Sequence, residues 1–253
     1  MLKVSIEEIR LKLLEDRVLL SDINFTLAAN RIYTILGKNG SGKSTLLKSI
    51  PRLLDERFYS VKGKIFYHGE NILALTEDKL LQLRKQKIKY VFQDAMNSFD
   101  HLKKFGYYFE KLSPGNIIDI NMVNDLLKYF LLPGSDKLFR LYPYEVSGGM
   151  AQRISFVLTL ISKPEVILLD EPTSGIDSAI SNLFLLKLKE YVLQDNNMAI
   201  LVTHDLKFAE RAADEAAFLA NGRLSGSISP SGFFKKNRNA EAKAFLNIYS
   251  QLS

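Results

Sequence analysis

The sequence predicts an α/β fold: a mostly parallel sheet flanked by helices, with a block of helices inserted ahead of its later strands. Three observations carry that expectation. A glycine-rich turn, Gly37-Lys38-Asn39-Gly40-Ser41-Gly42-Lys43-Ser44-Thr45, joins an apolar β-like run (Arg31 to Leu36) to a helical stretch (Ser44 to Ile50, stopped by Pro51). A second short apolar run, Glu165 to Leu169, lies between Pro164 and Pro172 and ends in the adjacent carboxylates Asp170 and Glu171. Its leucine-rich, β-branched content fits a parallel strand buried on both faces. Between the two runs, helical periodicity dominates residues 94–162, as in Leu126-Leu127-Phe130-Leu131.

The remaining elements follow along the chain. Residues 2–36 read as strands, with turns around Glu15-Asp16-Arg17 and at Asn30. Val61 to Tyr67 alternates as another strand, and Glu77 to Arg84 is a short helix behind a Thr76 cap. After the helical block, strands and helices alternate to about Ser229, the pattern of a parallel sheet. The 253 residues, 47% apolar, suffice for one composite domain with its own core. Residues 1–93 and 163–229 are read as its sheet core, 94–162 as an inserted helical subdomain, and 230–253 as a C-terminal tail.

The turn at Gly37 to Thr45 matches the phosphate-binding pattern G-x-x-x-x-G-K-[ST] in the strand–loop–helix setting it requires. Glycines let successive N–H groups converge on one centre, and the helix start adds partial positive charge. Lys43 adds a full charge, and the Ser44 hydroxyl is placed for a Mg²⁺ bridging terminal phosphates. A nucleoside triphosphate is the expected ligand. Alternate side chains on a strand point to opposite sides, so Asp170 turns toward the metal and Glu171 toward an attacking water. A carboxylate there orients the water and accepts its proton. The alternative for this pair is a cap on the following segment.

Composition narrows the setting. No cysteine and no signal-peptide pattern lead us to expect a cytosolic, reducing location. The longest apolar run, Phe156 to Ile161, falls far short of the ~20 residues that span a bilayer. A net charge of +6 admits nucleic acid or an anionic membrane surface. The lysines are scattered, and the densest cluster, Arg84 to Lys89, reads as a solvated surface leading into a strand, so no nucleic acid is expected.

Between the two phosphate-site segments lies Ser147-Gly148-Gly149-Met150-Ala151-Gln152-Arg153, 17 residues ahead of Asp170. It resembles the signature of ATP-binding-cassette (ABC) ATPases, and other elements follow in that family's order. Gln93 looks like the Q-loop, Ser174-Gly175-Ile176-Asp177 like the D-loop, and His204 in Thr203-His204-Asp205 like the switch histidine. Asn221-Gly222-Arg223-Leu224 looks like the terminal hairpin turn. Phe92-Gln93-Asp94-Ala95-Met96-Asn97-Ser98-Phe99 and Tyr142-Pro143-Tyr144-Glu145-Val146-Ser147-Gly148-Gly149-Met150 are similar to the corresponding segments of peptide and nickel importer ATPases. Ala95, Tyr144 and Ala151 depart from that subfamily's proline, histidine and basic residue.

The resemblance implies a P-loop NTPase: a RecA-like mixed sheet core with an antiparallel β subdomain and an inserted helical subdomain. Two cassettes would pair head to tail, each ATP lying between one chain's Gly37, Asn39, Gly40, Ser41, Gly42, Lys43, Ser44 and Thr45 and the other's Ser147, Gly148 and Gly149. Ser44 and Gln93 would bind Mg²⁺ with Asp170 behind it. Glu171 would polarise water, His204 would meet the γ-phosphate, Gln93 would sense it, and Asp177 would connect the two sites. The implied role is the ATPase of an importer for oligopeptide, nickel or a related metal complex. It would sit on the cytoplasmic face of the inner membrane with a second ATPase, permease subunits and, indirectly, a substrate-binding protein. Alternatives are a soluble non-transport cassette or another transporter subfamily.

Two further expectations concern recognition. The family's adenine-stacking aromatic is missing between Leu13 and Val18, leaving Arg17 or Leu14 to replace it. The apolar segment from Ala95 to Phe109 should receive a helix from a membrane subunit, with Met96 and Phe99 the expected contacts and Phe105 and Phe109 read as core.

Overall fold

The computed structural model describes residues 1–13, 16–113, 115 and 117–226. The expected tail at 230–253, together with Leu14 and Glu15, lies outside the described residues. The chain opens with β1 (Leu2–Leu11), β2 (Arg17–Leu27), β3 (Ile32–Leu36), α1 (Lys43–Ser49), β4 (Tyr59–Tyr67), β5 (Glu70–Asn71), α2 (Glu77–Gln86) and β6 (Ile88–Val91). Four helices follow: α3 (Phe105–Leu112), α4 (Ile120–Tyr129), α5 (Ser135–Leu138) and α6 (Gly148–Ile161). The chain then returns to the sheet through β7 (Val166–Asp170), α7 (Ser178–Val192), β8 (Met198–Thr203), α8 (Leu206–Ala212), β9 (Glu215–Ala220) and β10 (Arg223–Leu224).

The strands form two sheets. One is antiparallel, in the order β2-β1-β4-β5; the other has the order β10-β9-β3-β8-β7-β6 and is parallel except for β10. Every residue of β3, β7 and β8 is buried, because both faces of that sheet are covered. On one face, Ile35, Leu168 and Ile200 pack with Leu46 and Leu47 of α1 and with Leu2, Val4 and Ile6 of the antiparallel sheet. On the other, Ile167, Leu169 and Leu201 pack with α6, α7 and the inserted helices.

Strand order positions the chemistry. β3, β8, β7 and β6 are parallel neighbours, so their carboxyl ends share one edge of the sheet. Gly37 follows β3, Asp170 closes β7, His204 follows β8 and Gln93 lies two residues past β6. A crevice outside the carboxyl ends of such strands is where open α/β sheets bind ligands.

Several local expectations change in three dimensions. Leu131 leaves the helical stripe: α4 ends at Tyr129, and Leu131 takes a left-handed conformation (φ 53°) that turns its side chain to solvent, 71% exposed. The Leu132 N–H then donates to the Leu127 carbonyl and closes the helix end. Thr76 does precede α2, but its side chain makes no cap hydrogen bond. The Arg84 to Lys89 cluster is not a freely solvated face. Arg84 donates to the Pro51 and Arg52 carbonyls, Lys87 pairs with Glu165 at 2.6 Å, and burial lowers the pKa of Lys89.

The apolar segment past Gln93 also divides differently. Phe99 is buried, its ring meeting Phe105 at 5.2 Å and Tyr108 at 5.1 Å, both edge-on. Phe105 and Phe109 are core, as expected. Met96 is half-buried, and the exposed large apolar side chains here are Phe92, Leu102 and Tyr107.

The inserted helices join the core through an aromatic cluster. Phe156 of α6 stacks on Phe184 of α7 at 4.6 Å, and Phe130 meets both rings edge-on. Phe156→Ala should therefore cost about 3–5 kcal/mol, since a fully buried ring leaves a cavity its neighbours fill only in part. Equilibrium denaturant unfolding measures this; a loss below ~1 kcal/mol would show that the cluster collapses freely.

Candidate active site

The glycine-rich loop turns tightly because two positions tolerate no side chain. Gly42 has φ 98°, and a Cβ there would meet Leu20 Cδ2 at 2.8 Å. A Cβ on Gly37 would lie 2.5 Å from the Leu219 carbonyl oxygen. The loop closes over Lys43, whose ammonium donates to the Gly37 and Lys38 carbonyls at 2.9 and 3.2 Å. A phosphate entering here meets a cation already fixed in place.

Lys43 also faces Glu171, with Nζ and Oε1 3.5 Å apart and both side chains 6% exposed. Glu171 follows β7 in a left-handed conformation (φ 47°), which for glutamate stores backbone strain. Its N–H is tied to the Val202 carbonyl at 3.0 Å, holding the turn. Glu171 Oε2 accepts from Thr203 Oγ1 (3.1 Å), the His204 N–H (3.2 Å) and His204 Nδ1 (2.9 Å). Because an ionised carboxylate only accepts, the proton of this contact sits on Nδ1, leaving His204 Nε2 for another partner. The end of β8 thus fixes the orientation of the carboxylate that follows β7, while Lys43 faces its other oxygen.

Asp170 is held on both oxygens. Ser44 Oγ donates to Oδ1 at 2.8 Å, and the Tyr90 hydroxyl donates to Oδ2 at 2.7 Å. Burial above all, then the Asp170 charge and hydrogen bond, pushes the Tyr90 phenol far above its usual pKa and keeps it a donor.

Lys43, Ser44, Thr45, Asn39, Gly40, Gly42, Gln93, Glu171 and His204 line one cleft of about 390 Å³. Gly37 and Ser41 shape the loop behind it, and Asp170 stands behind Ser44. Oxygen donors on this side are the Ser44 hydroxyl and the Asp170 carboxylate bonded to it, and Gln93 adds a side-chain amide oxygen to the lining of the same cleft. A second cleft of about 590 Å³ runs from the same loop to Arg17, Val18 and the Asn221-Gly222 turn. That turn joins β9 to β10 and docks on β2, the Ser21 N–H donating to the Gly222 carbonyl at 2.7 Å. Arg17 is therefore positioned beside this cleft, while Leu14 lies outside the described residues.

Ser147, Gly148, Gly149 and Asp177 line neither cleft. Ser147 caps α6, accepting from the Met150 N–H at 3.2 Å, and a Cβ on Gly148 would meet open space. Asp177 caps α7 through the Ile180 N–H at 2.9 Å. Residues that sequence reasoning left unassigned join these parts. Gln152, 3% exposed, donates to the Phe92 carbonyl at 3.2 Å and so ties α6 to the segment entering Gln93. Arg153 braces the helix start, donating to the Gly149 and Phe130 carbonyls at 3.0 and 2.9 Å. A polar side chain at a position facing inward on an otherwise apolar helix is the sequence signal for Gln152.

The model of the family described as ABC transporter matches residues 20–174. The chain belongs to the ABC transporter family. Within it, the chain is 32% identical over 214 residues to the metal-staphylopine import system ATP-binding protein CntD of Staphylococcus aureus, spanning 83% of this chain and 79% of that protein. It is 27% identical over 230 residues to the oligopeptide transport ATP-binding protein OppD of Lactococcus lactis, spanning 89% and 68%. Among solved structures, the fold matches the dimeric ATP-binding cassette MJ0796 bound to ADP and Pi, with TM-score 0.79 and 24% identity, over 92% of this chain and 100% of that one. The ABC family assigns ATP binding and hydrolysis to this P-loop fold.

For an ABC ATPase with this geometry, Glu171→Gln keeps the side chain's shape but replaces one acceptor oxygen with a donor. Steady-state hydrolysis should fall about 10²–10⁴-fold, the usual worth of a positioned base, while ATP affinity stays within a few-fold. Near-normal turnover, measured with labelled ATP, would remove Glu171 from the reaction.

Proposed function

We propose that this chain is the ATP-hydrolysing subunit of an importer and works as a head-to-tail pair of cassettes. Each ATP would lie between one copy's loop and the other's Ser147-Gly148-Gly149. The observation that carries the pairing is the separation of these two anion-ready segments. Ser147 and Gly148 are exposed at the start of α6, outside the cleft of Lys43 and Glu171. A segment with outward N–H groups and no side chain at Gly148 suits the terminal phosphate of a nucleotide bound on another copy. The second cassette would be an identical copy or a paralogue, with Asp177 at the start of α7 carrying the link between the two sites.

Within one copy, the loop amides and Lys43 would hold the β- and γ-phosphates. The all-oxygen donors of Ser44, Gln93 and Asp170 suit Mg²⁺, which takes one or two protein oxygens and otherwise phosphate and water. No group of three or more His, Cys, Asp or Glu among the described residues is arranged to cage a metal by protein alone. Bound there, Mg²⁺ would supply charge neutralisation between the terminal phosphates. Glu171 would orient the attacking water and take its proton, and His204 would hold Glu171 through Nδ1 while Nε2 faces the γ-phosphate. Arg17 would lie along the base or ribose in the second cleft.

Import is supported by the relatives' own names, one for metal-staphylopine import and one for oligopeptide transport. No helix among the described residues is long and apolar enough to cross a membrane. The path for a small cargo, an oligopeptide, nickel or a related metal complex, would lie in separate permease subunits fed by a substrate-binding protein. The chain would sit peripherally on the cytoplasmic side. The core at 1–93 and 163–229 would move against the 94–162 helical unit about Gln93, and the exposed Leu102 and Tyr107 would meet the membrane subunit.

Ser147→Arg should leave ATP affinity of the single chain unchanged and abolish ATP-driven pairing in light scattering. An equal loss of single-chain affinity would sink the trans arrangement. Leu102→Glu, at a side chain 84% exposed, should leave ATP binding and thermal stability intact while reducing co-purification with the membrane subunits. Wild-type recovery of those subunits would move the docking face elsewhere.

A further inference from the structure

Tyr90 lines neither of the two clefts described above, yet its hydroxyl meets the buried Asp170 carboxylate. β6 and β7 are parallel with Tyr90 opposite Leu168, so Tyr90 lies on the same sheet face as Leu168 and Asp170. Its ring packs in the core that contains Ile88, Val166 and Leu168, and the phenol reaches diagonally to Asp170, two residues further along β7. A phenylalanine or methionine would fill nearly the same volume. The hydroxyl is thus the part of this residue that packing does not require.

Its effect on Asp170 is geometric. Asp170 is 3% exposed and has one protein donor on each oxygen: Ser44 on Oδ1 and Tyr90 on Oδ2. With Oδ2 held, the carboxylate cannot exchange its two oxygens by rotation, and Oδ1 stays on Ser44. The Ser44 hydroxyl hydrogen is then committed to Asp170, which turns the oxygen lone pairs away from Asp170. The chain of donation runs from Tyr90 to Asp170 and from Ser44 to Asp170, so one buried phenol sets how the Ser44 oxygen presents itself. The same ring meets Phe92 at 4.6 Å, and the Phe92 carbonyl takes the Gln152 bond from α6. The residue that orients the carboxylate therefore also packs against the stem of Gln93.

We propose that Tyr90 is a positioning residue for the metal side of this site, its hydroxyl locking the Asp170 carboxylate so that Ser44 is pre-oriented toward a divalent cation. The proposal rests on the reading of Ser44 and Asp170 as the metal side of the site. Groups that orient metal ligands typically change metal affinity by 10–100-fold when removed.

The probe is Mn²⁺, titrated by electron paramagnetic resonance into the full chain loaded with the β,γ-imido analogue of ATP, protein in excess of nucleotide. Tyr90→Phe should raise the Mn²⁺ dissociation constant about tenfold and leave analogue affinity in EDTA and the thermal midpoint unchanged. Tyr90→Met, which keeps the volume by other means, should behave alike and serves if the phenylalanine variant folds poorly. Mn²⁺ affinity within twofold of wild type in both variants, with Asp170→Asn strongly weakened, would overturn the role of Tyr90 alone. Unchanged Mn²⁺ affinity in Asp170→Asn as well would overturn the reading of Asp170 on which the proposal rests. A loss of Mn²⁺ affinity matched by an equal loss of metal-free analogue affinity would mark Tyr90 as structural and also overturn it.

Discussion

The ion pair of Lys43 with Glu171 governs how the rest of this molecule is arranged. Both side chains are almost fully removed from water, and a buried pair is tolerable only when further hydrogen bonds satisfy it. Lys43 finds them in the carbonyls of its own loop. Glu171 finds them at the end of β8, in Thr203 and His204. That supply exists only if β8 lies between β3 and β7, although it follows both in sequence. The order β3-β8-β7 is the order observed, and the long crossovers it demands are the helices that cover the sheet. In that order the partners of both buried charges come from adjacent strand ends.

The same edge ties the helical insertion to the strand ends of the site. β6 is the outermost of the parallel strands and the last before the helices, so whatever acts on its carboxyl end acts on their entry point. Three contacts meet there: Tyr90 on Asp170, the Tyr90 ring on Phe92, and Gln152 on the Phe92 carbonyl. Phe130, Phe156 and Phe184 form a buried aromatic cluster between the end of α4, α6 and α7. Polar contacts and a close-packed aromatic cluster thus both bind the helical unit to the sheet, and a core packed this closely does not deform continuously.

What was legible in the sequence was local. Gly42, Lys43 and Ser44 are neighbours in the chain, and the glycine spacing by itself dictates a turn whose amides converge. Asp170 and Glu171 sit at the end of an apolar run whose burial follows from its composition. The α/β alternation and the tight Asn221-Gly222 turn are periodicity and turn chemistry, and both are found. The misses share one cause, which is dependence on partners distant in sequence. Nothing near Phe99 announces that Phe105 and Tyr108 fold back over it, so an aromatic in an irregular segment reads as exposed. Leu131 fits the apolar spacing of α4, and only the left-handed turn at the helix end sends it to solvent. Tyr90 reads as one more strand residue until the β6–β7 register sets it beside Asp170.

The cleft around Lys43 and the start of α6 differ in how completely their polar groups are satisfied within one chain. Lys43, Glu171, Asp170 and Ser44 each have partners inside the protein, so their geometry needs no ligand to exist. The start of α6 is built otherwise. Ser147 accepts from the Met150 N–H, and Gly148 presents bare, exposed backbone to open space. Arg153 meanwhile pins the Gly149 carbonyl and the end of α4 from behind, so this outward-facing edge is rigid. A stiff, exposed helix start has little conformational freedom left to lose on contact with another surface. In the proposed pairing, association would complete at the start of α6 what folding alone completes around Lys43 and Glu171.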